Sequence, residues 1–243
     1  MEDKPMTLFE HLEALRKVII ISVIAIVIGS IIAYNYVDYF LNILLQPVTA
    51  LKMKLVFINV TEAFMTKLKI AIILGIILAS PIILWQIWSF VAPGLKPAER
   101  KFVLRMIPVI IILFVAGIVF AFFTVFQIAT RFLLQFGGDI MSPMITIGKY
   151  ISFALNFLIP FGLVFELPVV VYILAKLNII SHEFLVKNRK YALLVVFILA
   201  AALTPGPDVI SQLLMAAPLL ILYEVSIFIA KFIKPKEFSG ERK

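Results

Sequence analysis

The sequence predicts an all-α polytopic membrane protein with six transmembrane helices and both termini in the cytoplasm. Of its 243 residues, 63% are hydrophobic and only 15% are charged. A soluble domain is typically about half apolar and about a quarter charged, so much of this apolar surface must face lipid. The apolar residues fall into six runs, and the basic residues gather on one side of those runs.

The six runs define one membrane domain over residues 1–243, since about 20 apolar residues cross a bilayer as a helix. The predicted spans are residues 18–36, 70–91, 106–126, 151–175, 191–203 and 209–229. The fifth run is short and would rise only ~20 Å. Pro218 and Glu224 interrupt the sixth run. We expect this final pair to thin the local bilayer or to pack at its rim.

The distribution of Lys and Arg sets the orientation. Sixteen of the 22 basic residues fall in the N-terminal segment, the second and fourth loops and the C-terminal tail. The positive-inside rule therefore places these segments, including the tail at 234–243, in the cytoplasm. In a membrane protein a net charge of +8 serves topology and contact with anionic lipid, so no nucleic-acid partner is expected.

Two segments outside the spans carry helix signals. Thr7-Leu8-Phe9-Glu10 is a capping box, and apolar residues follow it at helical spacing. Residues 1–17 are therefore predicted to form an amphipathic helix at the cytoplasmic interface before the chain turns into the membrane. A simple surface anchor is the alternative. The first external loop contains a second helix start at Asn59–Glu62, which predicts short helices on the outer face.

The composition excludes several kinds of chemistry. There are no cysteines, and the two histidines, His11 and His182, are far apart, so neither a thiol nor a histidine metal site is expected. No Gly-rich phosphate loop, paired-carboxylate hydrolase, Ser/His/Asp triad or zincin helix is present. We expect no catalytic residue, metal or cofactor, and no enzyme.

Glu166 is the least expected residue because it lies inside the fourth apolar run. A carboxylate at that depth costs a few kcal/mol, about 2–4 on insertion scales, so it must be protonated, paired or facing a wet cavity. A neutral acid that packs helices together is the alternative. Pro160 and Pro168 bracket Glu166 and should bend the helix or free carbonyls nearby.

Polar residues also mark the start of the sixth span. Thr204 opens a tight external turn, and Asp208 is placed as the N-cap of the last helix. Ser211 and Gln212 then enter the membrane, where polar side chains commonly bind another helix.

Glu224 is expected to reach interfacial water or a basic residue. On the cytoplasmic face, Glu99 stands among basic residues, where an ordinary solvated charge is the alternative to a binding role.

Taken in order, five segments resemble the TatC family, the polytopic receptor subunit of the twin-arginine protein translocase. The similarity covers nearly the whole chain and is carried by His11–Arg16, Ala79–Pro81 with Trp88–Leu95, Glu99–Lys101, Phe165–Pro168, and Thr204–Asp208 with Ser211 and Gln212. One such fragment would be weak, but five in order on the predicted topology are specific.

The resemblance implies a cup-shaped protein of the bacterial or archaeal cytoplasmic (inner) membrane, with Glu166 facing the concave side. It implies binding of twin-arginine signal peptides of folded cargo, TatA and TatB type single-span partners, self-association and export driven by the proton-motive force. Family carboxylates that receive the signal peptide map to Glu99 and to the N-terminal motif. Thr204, Asp208 and Gln212 are the expected partner-docking residues.

The N-terminal motif departs from the usual family pattern. Ala14 stands where the family often has Glu, and Glu13 is one position earlier, which rotates it by about 100° around a helix. Glu13 and Glu10 therefore both remain candidates for binding arginine.

Two other functions fit parts of the sequence. A proton-coupled small-molecule carrier could use Glu166 as its protonation site, although such carriers are often built from repeated halves and no repeat is visible here. A structural scaffold could use Glu166 and Gln212 for helix docking, but it would not need acidic residues on the cytoplasmic face.

Overall fold

The computed structural model describes residues 8–94, 96–136, 144–203 and 209–233, and these are almost entirely helical. The α-helices are α1 Leu8–Tyr34, α2 Val37–Thr49, α3 Glu62–Val91, α4 Pro97–Phe120, α5 Gln127–Gln135, α6 Ile147–Phe165, α7 Leu167–Lys176, α8 His182–Lys187, α9 Arg189–Leu203 and α10 Val209–Phe232. A 3₁₀ turn, Ala92–Gly94, follows α3, and a π-helical segment, Ala121–Phe126, joins α4 to α5.

Five helical stretches in the described residues are long and apolar enough to cross a membrane. They are Phe9–Tyr34, Glu62–Gly94, Glu99–Gln135, Ile147–Lys176 and Val209–Phe232. Each overlaps one predicted span. The remaining apolar helix, α9, has 15 residues, which rise ~22 Å. The all-helical class is confirmed, whereas a sixth crossing at 191–203 stays a prediction.

Several helices extend beyond the spans that hydropathy predicts. α3 begins at Glu62 and α4 at Pro97, both ahead of the predicted spans. Hydropathy marks the residues that tolerate lipid, whereas a helix continues through polar turns until its backbone hydrogen bonding ends. The helix start near Asn59–Glu62 is confirmed, as is a short helix, α2, in the first loop.

The N-terminal segment differs from its prediction. α1 runs from Leu8 to Tyr34 without a break, so the turn expected after residue 17 is absent. Neither Gly nor Pro occurs between Leu8 and Ile28, and nothing there interrupts the helical hydrogen bonds. An interfacial position for the first turns stays a prediction. Residues 1–7, with Thr7, and the tail at 234–243 lie outside the described residues.

The fourth predicted span is two helices, which confirms the expected effect for Pro168 but not for Pro160. α6 ends at Phe165 and α7 begins at Leu167, with Glu166 between them. Pro168 sits in the first turn of α7, where a missing N–H is tolerated because that position has no partner within its own helix. Pro160 lies inside α6 without ending it.

The chain forms two compact units. The first comprises residues 1–45 and 59–111, and its core is the antiparallel pair α1 and α3. The two backbones approach closely at Gly29 and Gly75: a Cβ added to Gly75 would lie 2.5 Å from the main-chain nitrogen of Ser30. Near the other end of the pair, Lys67 forms an ion pair of 2.7 Å with Asp38.

The second unit comprises residues 46–58 and 112–243. Its core contains a column of buried rings, Phe126, Phe157 and Phe161, on the π-helical segment and α6. α10 packs against α7 and α9. A short backbone bridge pairs Val56 with the residues around Thr146, where the Ile147 N–H donates to the Val56 carbonyl at 2.9 Å.

Gly75 should tolerate no side chain. We expect Gly75→Ala to lower stability by ~1–3 kcal/mol, the usual cost of overpacking, because the added methyl group meets the backbone of α1. Gly94→Ala is the matched control, since a Cβ there has no heavy atom within 4 Å. Thermal unfolding of the purified variants tests this, and equal melting temperatures would contradict the close approach.

Candidate functional site

Glu99 is oriented by the helix that it helps to begin. It occupies the third position of α4, and its Oε2 accepts the Lys96 N–H at 3.0 Å. This contact is the reciprocal half of a capping box and satisfies a donor at the helix start. A carboxylate has about four acceptor sites, so capping leaves room for a further cation. Arg100, the next residue, is exposed.

The two N-terminal carboxylates lie on different faces of α1. Both Glu10 and Glu13 are exposed, whereas Ala14 is half-buried and belongs to the stripe of α1 that continues through Ala25 and Ala33. Glu10 lies four residues before Ala14, and residues at that spacing share a helix face. Glu13 is rotated by about 100°. Glu10 is therefore nearer the face on which the family motif places its carboxylate.

A ring contact fixes the start of α1 against the end of α3. The rings of His11 and Phe90 lie 4.2 Å apart, centroid to centroid. The chain leaves α3 just after Phe90 and reaches Glu99 through the 3₁₀ turn. Glu10, Glu13 and Glu99 thus belong to the same compact unit, at the end where α1 begins and α3 ends.

Glu166 occupies the break between α6 and α7 and is half-buried. Neither of its carboxylate oxygens is accessible or has a hydrogen-bond partner among the described residues. Unsatisfied buried polar groups are rare because they are costly, and they often mark function.

The packing around Glu166 is tight. A Cβ added to Gly117 of α4 would lie 2.8 Å from the Cβ of Phe165, and one added to Gly162 would lie 2.8 Å from the ring of Phe114. The two glycines let α4 and α6 approach closely beside the helix break. The position of the Glu166 backbone is therefore determined by its neighbours.

Gln212 joins two helices of the second unit. Its Nε2 donates to the Phe197 carbonyl of α9 at 3.1 Å. Ser211, the preceding residue, is buried at 1% exposure. Thr204 and Asp208, the other predicted docking residues, lie outside the described residues.

The expected basic partner of Glu224 is confirmed. Arg189, at the start of α9, donates to the Glu224 carboxylate of α10 at 2.7 Å, and both side chains are about half exposed.

Sequence reasoning missed two neighbouring contacts that hold α8 onto α10. The Tyr223 hydroxyl donates to the Leu185 carbonyl at 2.9 Å, and His182 Nδ1 donates to the Ile227 carbonyl at 3.2 Å. Ser181, an N-cap residue, was the available signal for α8.

The π-helical segment Ala121–Phe126 was also missed. No Gly or Pro marks it, and three of its six residues are phenylalanines. π-helical segments inside α-helices are frequent at functional sites. Here the segment turns Phe122 and Phe126 into the core of the second unit.

The sequence model of the family "Sec-independent protein translocase protein (TatC)" matches residues 10–218. The chain belongs to the TatC family. It is 42% identical to the TatC protein of Desulforapulum autotrophicum over 99% of this chain and 89% of the relative. It is 39% identical to that of Aquifex aeolicus over 96% of this chain and 98% of the relative.

Solved structures show the same fold. A crystal structure described as the twin arginine translocase receptor TatC has a TM-score of 0.80 and 40% identity, covering 91% of this chain and 98% of that one. A second, in the detergent DDM, has a TM-score of 0.81 and 39% identity over 90% and 99% of the two chains. TatC proteins are translocase components, so the role of this chain is transport rather than catalysis.

Replacing Glu166 should not destabilise the protein. Glu166→Leu removes a buried polar group that has no hydrogen-bond partner, and such replacements are neutral or stabilising. We expect a melting temperature equal to or above that of the wild type, with Glu166→Gln equal to or below Glu166→Leu. A clear loss of stability in Glu166→Leu would show that the carboxyl group holds the helices together.

Proposed function

We propose that this chain is the core receptor of a twin-arginine translocase, binding the signal peptides of folded proteins at the cytoplasmic face. The observation that carries the proposal is the end-to-end similarity to TatC proteins, including a solved structure described as the translocase receptor. The oriented Glu99 carboxylate supplies the recognition chemistry.

The charge pattern around Glu99 suits a twin-arginine ligand. A guanidinium group presents a rigid fork of donors that matches a carboxylate, and a pair of arginines needs at least two such acceptors. Glu99 provides one, and Glu10 or Glu13 of the same compact unit provides the other. The bond to the Lys96 N–H already orders the Glu99 side chain in the free protein. Peptide binding therefore costs less side-chain conformational entropy. The hydrophobic part of the signal peptide must add affinity, because exposed ion pairs contribute only about 0–1 kcal/mol.

The location and topology follow from the same proposal. The protein lies in the cytoplasmic (inner) membrane of a bacterium or archaeon, with both termini inside and α9 as a short sixth crossing. The excess of Lys and Arg in alternate loops supports this orientation. Export uses the proton-motive force, and Glu166 is the intramembrane group whose removal should impair transport.

Partner docking is proposed for the outer ends of α9 and α10. We propose that TatA and TatB type single-span helices bind near Gln212, that Thr204 and Asp208 take part in this binding, and that copies of the chain associate in the receptor complex. The bond from Gln212 to the Phe197 carbonyl supports this assignment indirectly, because it holds the start of α10 against α9.

A proton-coupled small-molecule carrier is the second candidate function, favoured by the buried carboxylate of Glu166. The two functions differ in their dependence on Glu99. A carrier using Glu166 would not require an oriented acidic residue at the start of α4.

Charge reversal at Glu99 should abolish signal-peptide binding. A lysine there would repel both arginines and would lose the contact with the Lys96 N–H, so we expect no crosslinking of a twin-arginine peptide in Glu99→Lys membranes. Glu99→Gln should be intermediate, since an amide oxygen can still accept from Lys96. Photocrosslinking with Arg-Arg and Lys-Lys peptides measures this.

Glu183→Lys is the matched control, because Glu183 is an exposed acidic residue at the start of another helix, α8. It should crosslink like the wild type. Wild-type crosslinking in Glu99→Lys would overturn the receptor assignment. In double-mutant cycles we expect Glu99 to couple more strongly to Glu10 than to Glu13, because Glu10 shares the face of Ala14.

The partner surface is tested by Gln212→Leu. This change removes the bond to the Phe197 carbonyl and a polar group within reach of a partner helix. We expect co-purification of single-span partners to fall several-fold while peptide crosslinking persists. Gln127→Leu, a half-buried glutamine of α5, is the control for the added apolar surface. Unchanged partner recovery together with lost peptide binding would show that the face is wrongly assigned.

A further inference from the structure

The second unit contains a groove that is lined by neither Glu99 nor Glu166. It lies among α8, α9 and α10 and encloses about 800 Å³. Val186, Ile221, Val225 and Phe228 contribute apolar walls, and basic side chains lie in the same groove. A concave site that combines apolar walls with charged groups suits an amphiphilic ligand better than a small ion.

The walls of the groove are fixed by bonds within the chain. Tyr223 and His182 make the two hydrogen bonds that join α8 to α10, at 2.9 Å and 3.2 Å. Beneath them a buried apolar cluster contains Leu185 of α8 and Ile227 of α10. Because α8 has only six residues, these contacts hold it in place, and the groove exists before any ligand arrives.

The charge in the groove is positive. Arg189 and Lys231 both line it, and Glu224 is occupied by its 2.7 Å ion pair with Arg189. A guanidinium has five N–H donors, so one ion pair leaves others for a second anion. An acidic residue, Glu183, lines an adjoining cavity that shares Lys231 and His182 with this groove, but Glu183 does not line the groove itself. A phosphate is therefore favoured on the Arg189 side.

We propose that this groove binds an anionic phospholipid, with its phosphate at Arg189 and Lys231 and an acyl chain along α10. α10 is long and apolar enough to cross a membrane, and its Ile221 and Phe228 are 64% and 62% exposed. Those two side chains line the groove that also holds the cations. Basic pockets between membrane helices are typical headgroup sites. Inorganic phosphate would bind the basic side chains but would make no contact with the apolar walls.

The test uses the purified full-length chain in detergent and native mass spectrometry, which counts bound lipids. Dioleoyl phosphatidylglycerol should bind saturably and raise the melting temperature, whereas dioleoyl phosphatidylcholine, with the same acyl chains, should do neither. Inorganic phosphate should leave the melting temperature unchanged. Equal binding of the two lipids, or an equal response to phosphate, would overturn the proposal.

Matched variants locate the lipid. Lys231→Gln should weaken phosphatidylglycerol binding about fivefold, the change expected from ~1 kcal/mol per basic residue near an anionic headgroup. Lys187→Gln removes the same charge from the end of α8, outside the groove lining, and should bind like the wild type. Glu224→Gln releases Arg189 from its ion pair and should bind more tightly. If Lys187→Gln and Lys231→Gln weakened phosphatidylglycerol binding equally, the lipid would be attracted to the basic surface as a whole, and the proposed site would be wrong.

Discussion

The need to satisfy every backbone N–H and carbonyl without water governs the structure of this chain. In the hydrocarbon region a helix meets that need internally, and each departure from helical hydrogen bonding must be compensated by neighbouring groups. In the described apolar stretches such departures include the break at Glu166, the π-helical segment Ala121–Phe126 and the prolines inside α3, α4, α6 and α10. At the break, the Val170 N–H donates to the Glu166 carbonyl at 2.8 Å. The first turn of α7 therefore loses little backbone hydrogen bonding.

The acidic residues divide according to how their negative charge is accommodated. Glu99 accepts a main-chain N–H at a helix start, and Glu224 is paired with Arg189. Both are in reach of solvent, where such contacts orient a carboxylate without a large desolvation cost. Glu166 has neither arrangement among the described residues, since its oxygens are inaccessible and unpartnered. The first pattern suits the reversible binding of a cationic peptide that we propose for Glu99, and the second suits the role in transport that we propose for Glu166.

Close approach of helices depends on glycine in both units. Gly29 and Gly75 bring α1 against α3, and Gly117 and Gly162 bring α4 against α6. Because lipid tails are as apolar as leucine side chains, burial of apolar side chains contributes little free energy to the association of membrane helices. Backbone proximity at small residues then supplies the packing attraction, and the same contacts fix the backbone next to Glu166 and at Ser30.

The amino-acid sequence by itself determined the class of the protein, five of its long helices, the break near Pro168 and the family. These features depend on hydropathy, proline and local motifs, which act over a few neighbouring residues. Only the tertiary structure decided that Glu99 caps α4 and that Gln212 bonds to Phe197. It also showed Glu166 without a partner and the groove at Arg189 and Lys231. Such contacts join residues distant in the chain or depend on which of several local hydrogen bonds a side chain makes, and a hydropathy pattern carries no information about either.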